Sequence, residues 1–136
     1  MKKFFIILFI LMLLPIGAFA INSPTLEKTI TCNPKLEWEF AEYTEEWPSI
    51  LERITDIPQN YIMLDALRVI LDKEYETVEW TLPIEITTEN EPFILIIDSD
   101  TIIKQEVPTT EKGSIITDFT GYKPGIYYIC FYIKGV

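Results

Sequence analysis

Phe93-Ile94-Leu95-Ile96-Ile97-Asp98-Ser99-Asp100-Thr101-Ile102-Ile103-Lys104-Gln105-Glu106-Val107 is the stretch on which the fold turns. Two runs rich in branched apolar residues, Phe93 to Ile97 and Ile102 to Val107, flank four turn-forming residues, and a hairpin is their natural connection. Short Asp and Ser side chains bond their own backbone at such a reversal, whereas β-branched side chains fit a pleated surface.

The same punctuation continues outward in both directions. Upstream, Glu89-Asn90-Glu91-Pro92 reads as a turn and Thr77 to Thr87 as β-forming chain, with Pro83 marking an edge or a bulge. Downstream, Pro108 to Gly113 is a polar loop, Ser114 to Phe119 a strand, Gly121-Tyr122-Lys123-Pro124-Gly125 a turn, and Ile126 to Ile133 a further strand. Leu36-Glu37-Trp38-Glu39-Phe40 alternates apolar and acidic residues with period two, which directs Leu36, Trp38 and Phe40 inward. Before it, Pro24 and Pro34 bracket an extended lead-in whose last part, Thr29 to Cys32, suits an edge strand. Five or six short strands with a turn signal every 8 to 12 residues, roughly, predict an all-β antiparallel sandwich. No internal repeat and no long linker divides it, so residues 21–136 are expected to form a single domain.

Two segments interrupt this pattern. Glu45-Glu46-Trp47-Pro48-Ser49 is a break, after which Ile50, Leu51 and Ile54 read as a short helical turn or a loop ending near Pro58. Between Gln59 and Glu74, Met63, Ala66 or Leu67, and Ile70 recur at helical spacing, as do Leu64, Leu67 or Arg68, and Leu71. That spacing favours a short helix over the competing reading, a buried strand followed by a charged turn.

The first 20 residues stand apart. Lys2 and Lys3 precede an unbroken apolar run from Phe4 to Leu14, and Pro15-Ile16-Gly17 breaks it just before Ala18-Phe19-Ala20. This is the layout of a secretory signal-peptide helix, with Ala18 and Ala20 small enough for the peptidase subsites and cleavage expected after Ala20. The run is shorter than the roughly 20 residues that a bilayer span needs. Ile21, not Cys, follows the cleavage site, so no lipid anchor is expected, and the processed chain should be periplasmic or secreted and free of the membrane.

Composition narrows the chemistry. The 136 residues include no histidine, which excludes His-dependent triads, His-ligated zinc and imidazole acid–base catalysis. The formal charge is −10, and losing Lys2 and Lys3 with the leader takes it to −12, which argues against nucleic-acid partners. Cys32 and Cys130 are the two thiols of the chain. In an oxidising compartment they are expected to pair and to close nearly the whole domain, the alternative being two separate buried thiols. No Cys-x-x-Cys spacing exists to make either of them redox-active.

From Pro83 onward the succession is strand, acidic turn, apolar strand, Asp98-Ser99-Asp100 turn, strand, polar loop, strand, then Pro124-Gly125-Ile126-Tyr127 entering a late strand. This resembles the small β-sandwich domains of exported Bacteroidetes proteins, both the carboxy-terminal sorting domains of type IX secretion and short stand-alone secreted proteins. Tyr128, two residues before Cys130, is similar to the Tyr-x-Cys strand of immunoglobulin-like folds. The resemblance implies a small immunoglobulin-like sandwich. The chain stops at Val136 without the basic final strand usual in sorting domains, and little lies upstream to be cargo, so the stand-alone type is expected. The resemblance supplies no activity.

Two constellations could carry chemistry. Glu37, Glu39, Glu42, Glu45 and Glu46 interleave with Trp38, Phe40, Tyr43 and Trp47, as in a site where paired carboxylates cleave a glycoside and aromatics stack on sugar. The alternation instead places Glu37 and Glu39 on a solvated strand face. For catalysis, two of Glu37, Glu42, Glu85 and Glu89 would have to meet across a cleft. Asp98-Ser99-Asp100 could hold calcium with Glu89 or Glu91, but it lacks the EF-hand spacing, and a tight turn accounts for it. The expectation is therefore a non-enzymatic binding or structural module, without catalytic residues, metal or cofactor, that recognises a protein or a glycan. A small carboxylate-dependent glycoside hydrolase is the alternative.

Overall fold

A computed structural model describes residues 29–135. The leader, with Ala18 and Ala20, lies outside the described residues. The protein is mainly β, with eight strands in two antiparallel sheets among the described residues. In chain order these are β1 (Thr31–Asn33), β2 (Glu37–Phe40), β3 (Tyr61–Leu71), β4 (Thr77–Thr81), β5 (Phe93–Ile97), β6 (Ile102–Glu106), β7 (Ile115–Asp118) and β8 (Gly125–Lys134). One α-helix, α1 (Trp47–Arg53), and two single 3₁₀ turns, Ala41–Tyr43 and Thr88–Asn90, are the helical elements among the described residues.

One sheet has the order β1-β4-β7 and the other β2-β3-β8-β5-β6. Alternation along the strands divides the side chains between two apolar clusters. Leu67, Val69 and Leu71 of β3, Ile94 and Ile96 of β5, and Tyr127, Ile129 and Phe131 of β8 face the smaller sheet. There they meet Val78, Trp80 and Ile115, and the Trp80 and Phe131 rings pack edge to face at 5.8 Å. The Trp80 indole N–H donates to Thr117 Oγ1 at 3.1 Å, which satisfies a polar atom that burial would otherwise penalise.

Phe93, Leu95, Ile97, Tyr128, Cys130 and Tyr132 project from the opposite face of the larger sheet and are also buried. The segment from Ala41 to Ile57 covers them through Ala41, Ile50 and Trp47, with Trp47 stacked on Tyr128 at 6.2 Å. The architecture is thus a β-sandwich with a short helical layer on its outer side. Burial of both faces is why β5 reads Phe-Ile-Leu-Ile-Ile without a polar residue.

Two expectations are corrected. Residues 61–71 form an eleven-residue strand, not a helix. The pairing of β3 with β8 shifts register between Met63 and Asp65, so Leu64 is an extra residue. Met63 and Ala66 therefore fall on the outer face while Leu64 and Leu67 fall on the inner one. A separation of three residues within one face imitates helical spacing, although the backbone is extended. The helix lies instead at Trp47–Arg53, with Pro48 in its first turn, where the proline's missing N–H costs nothing, and Arg53 at its last turn.

The second correction concerns the thiols. Cys32 and Cys130 are both free. Cys32 packs from β1 against the core between the sheets, whereas Cys130 projects from β8 into the outer cluster. The larger sheet lies between them, so the expected bridge is not made.

Candidate functional site

The glutamates singled out in the sequence lie outside the clefts of the molecule described below. Glu37, Glu42, Glu45, Glu85 and Glu89 are exposed. Glu37 and Glu39 sit on the face of β2 opposite Trp38 and Phe40, as the alternation predicts, and Glu39 accepts from Arg68 at 2.8 Å. Glu46 accepts a bond from the Tyr128 hydroxyl at 3.0 Å and so helps to seat the helical layer. Among the described residues, no three Asp, Glu or Cys side chains are grouped so as to hold a metal ion.

Asp98 acts within its turn. Its Oδ1 accepts the backbone N–H of Asp100 at 2.8 Å and of Thr101 at 2.7 Å, together with the Thr101 hydroxyl at 3.0 Å. Those backbone donors hold its carboxyl below the usual carboxylate range, and the Arg53 charge adds to them. Glu91 accepts from the Tyr61 hydroxyl at 3.3 Å and pairs with Lys134 at 3.5 Å. The Tyr127 hydroxyl donates to the Lys123 carbonyl, four residues back, at 2.7 Å and pins the turn that leads into β8.

The open flank of the larger sheet offers more. β6 is its terminal strand, and Ile102 and Ile103 remain 38% and 41% exposed. The β5–β6 hairpin has Asp98 N–H bonded to Thr101 C=O at one end and Val107 N–H to Pro92 C=O at the other. Alternation along an antiparallel ladder then turns the N–H and C=O of Thr101, Ile103, Gln105 and Val107 toward β5. Those of Ile102, Lys104 and Glu106 face outward, with no partner among the described residues.

A cleft of about 270 Å³ runs beside this edge. Phe93 and Leu95 line it from the sheet, Ile54 to Pro58 from the covering segment, and Ile102 and Lys104 from β6. Arg53 stands at its end and donates to the carbonyls of Asp98 at 2.7 Å and Thr101 at 3.4 Å, which ties α1 to the hairpin turn. The Lys104 ammonium lies 4.5 Å from the centre of the Phe93 ring and 3.7 Å from Glu106. On the other face of β6, the Gln105 side chain donates to the Asp118 carbonyl at 2.8 Å and accepts the Asp118 N–H at 3.2 Å. It thereby closes the gap between the edges of the two sheets.

Other clefts lie elsewhere. One, of about 250 Å³, is lined by Leu64, Asp65, Leu82, Pro83 and Ile84 beside the β3 bulge, and another, of about 280 Å³, includes Asp98, Tyr122, Lys123 and Tyr127. The sequence reading passed over Arg53 and Lys104. The available signal was the polar Lys-Gln-Glu within β6, next to a wholly apolar β5, which is how an outer strand is marked off from an inner one.

No family model matches the chain, and neither a curated protein nor a solved structure gives a significant match. Among the described residues, no helix is long and apolar enough to cross a membrane.

Proposed function

We propose that the chain is an exported binding module without enzymatic activity, acting in the periplasm or outside the cell on a protein or a glycan, with protein recognition at the β6 edge as its principal mode. The observation that carries this reading is the outward-facing backbone of Ile102, Lys104 and Glu106 beside an apolar cleft. An added strand would gain main-chain hydrogen bonds there and side-chain selectivity from the cleft, which is the usual division of labour in strand addition. The leader layout of Met1 to Ala20 supports export, and the resemblance to stand-alone secreted sandwiches supports a role outside the cytoplasm.

Lys104→Pro provides the test. It removes an outward N–H while leaving the bonds of Ile103 and Gln105 to β5 in place, and proline is tolerated at such edge positions. Partners captured by the wild-type protein should be lost by K104P, with the amide spectrum otherwise retained. Capture that K104P leaves intact, or glycan-array binding equal in the two proteins, would overturn recognition at this edge. Amino-terminal sequencing of exported protein should begin at Ile21.

A further inference from the structure

Resting on that reading, we infer that the segment taken up by β6 is an extended stretch of a partner protein with an acidic side chain opposite Lys104 and an apolar one opposite Ile102. Main-chain bonding alone would accept any extended chain, so the choice falls to the side chains that border the edge. The molecule as a whole is acidic, at −10, yet this cleft gathers two of its eleven Lys and Arg residues, Arg53 and Lys104, against one lining carboxylate, Asp56, with Glu106 beside the cleft at 3.7 Å from Lys104.

Both cations are fixed in place. Arg53 is held by the carbonyls of Asp98 and Thr101, and a guanidinium carries five N–H donors, so donors remain beyond those two bonds. Lys104 is held over the Phe93 ring and is half-exposed, with Glu106 its nearest carboxylate. A carboxylate opposite Lys104 makes a favourable cross-strand pair, whereas a lysine there makes an unfavourable one. Two positions along the added strand, on the same face, the neighbour is Ile102, whose exposed side chain gains from a branched apolar partner. The general acidity of the surface would steer basic chains toward the molecule, but the cations at this edge would reject them at the point of pairing.

The probes are three heptapeptides, Thr-Val-Thr-X-Thr-Val-Thr with X as Glu, Gln or Lys, titrated into the ¹⁵N-labelled protein. The Glu peptide should shift the amides of Ile102, Lys104 and Glu106 and bind at least tenfold more tightly than the Lys peptide, with Gln between them. Lys104→Gln and Arg53→Gln should each reduce that ratio to below threefold, and K104P should abolish binding of all three. Equal binding of the Glu and Lys peptides at β6 would overturn the acidic preference while leaving strand addition standing. Shifts confined to other parts of the protein, or no binding by any of the three, would overturn the inference. Partner capture by wild type but not by K104P would then show that edge recognition itself survives.

Discussion

At the scale of single residues, Gly113 is where the backbone tolerates least. Its φ is +78°, and a methyl group added there would run into the Glu85 side chain at the point where Gly113 accepts the Ile86 N–H. Gly121 also has a positive φ, +85°, but faces open space. Gly113→Ala should therefore lower the unfolding free energy by about 2 to 3 kcal/mol and Gly121→Ala by about 1, read from urea denaturation midpoints. The thiols give a second expectation. Burial pushes Cys130 up to about 12, and it belongs to the outer cluster, whereas Cys32 is half-buried on a three-residue outer strand. Native protein should take up one equivalent of a thiol reagent and guanidinium-unfolded protein two; failure of unfolded protein to react would restore the disulfide. Because the folded pKa of Cys130 lies above its ordinary value of 9.0, its contribution to stability is complete below pH 9 and is lost as the pH rises toward 12. Cys130→Ala should flatten that part of the stability profile.

Among the elements, the β5–β6 hairpin was legible because local chemistry and tertiary role agree in it. Its turn is built by Asp98, whose lowered pKa gives an opposite sign from that of Cys130: the stabilisation is present above the ordinary carboxylate value of 3.8 and disappears as acid protonates the group. Asp98→Asn should weaken the acid-limb dependence of unfolding between about pH 5 and pH 2, and an unchanged profile would remove Asp98 from the turn's energetics. β3 was misread because a single extra residue, Leu64, shifts the inside-outside alternation, and periodicity alone does not separate that shift from a helical turn. α1 was only half legible, since seven residues beginning Trp-Pro carry too little pattern to distinguish a helix from a loop. What places it is contact with distant residues, Trp47 on Tyr128 and Arg53 on the Asp98 and Thr101 carbonyls. Trp47→Ala should cost about 2 kcal/mol in thermal or urea unfolding, less than a fully buried tryptophan because its ring is partly exposed.

For the molecule as a whole, the alternation of β2 and the apolar runs of β5 and β8 conveyed a layered sheet protein, but not which strands neighbour one another or what covers the outer face. That information resides in long-range pairing, and so does the candidate edge, which exists because β6 has β5 on one side and, among the described residues, no strand on the other. Gln105 joins the two sheets at that margin through both backbone groups of Asp118, and Gln105→Ala should cost about 1 kcal/mol. The strand order also governs when the structure can assemble. β8, the last strand described, is inserted between β3 and β5, so the halves β2-β3 and β5-β6 have no ladder in common until it arrives. A chain cut before Gly125 would keep the smaller sheet's three strands but would leave β3 and β5 of the larger sheet each with an unpaired inner margin. Closure of the larger sheet is thus a late, all-or-none event that waits on one central ribbon, whichever of its two flanks forms first.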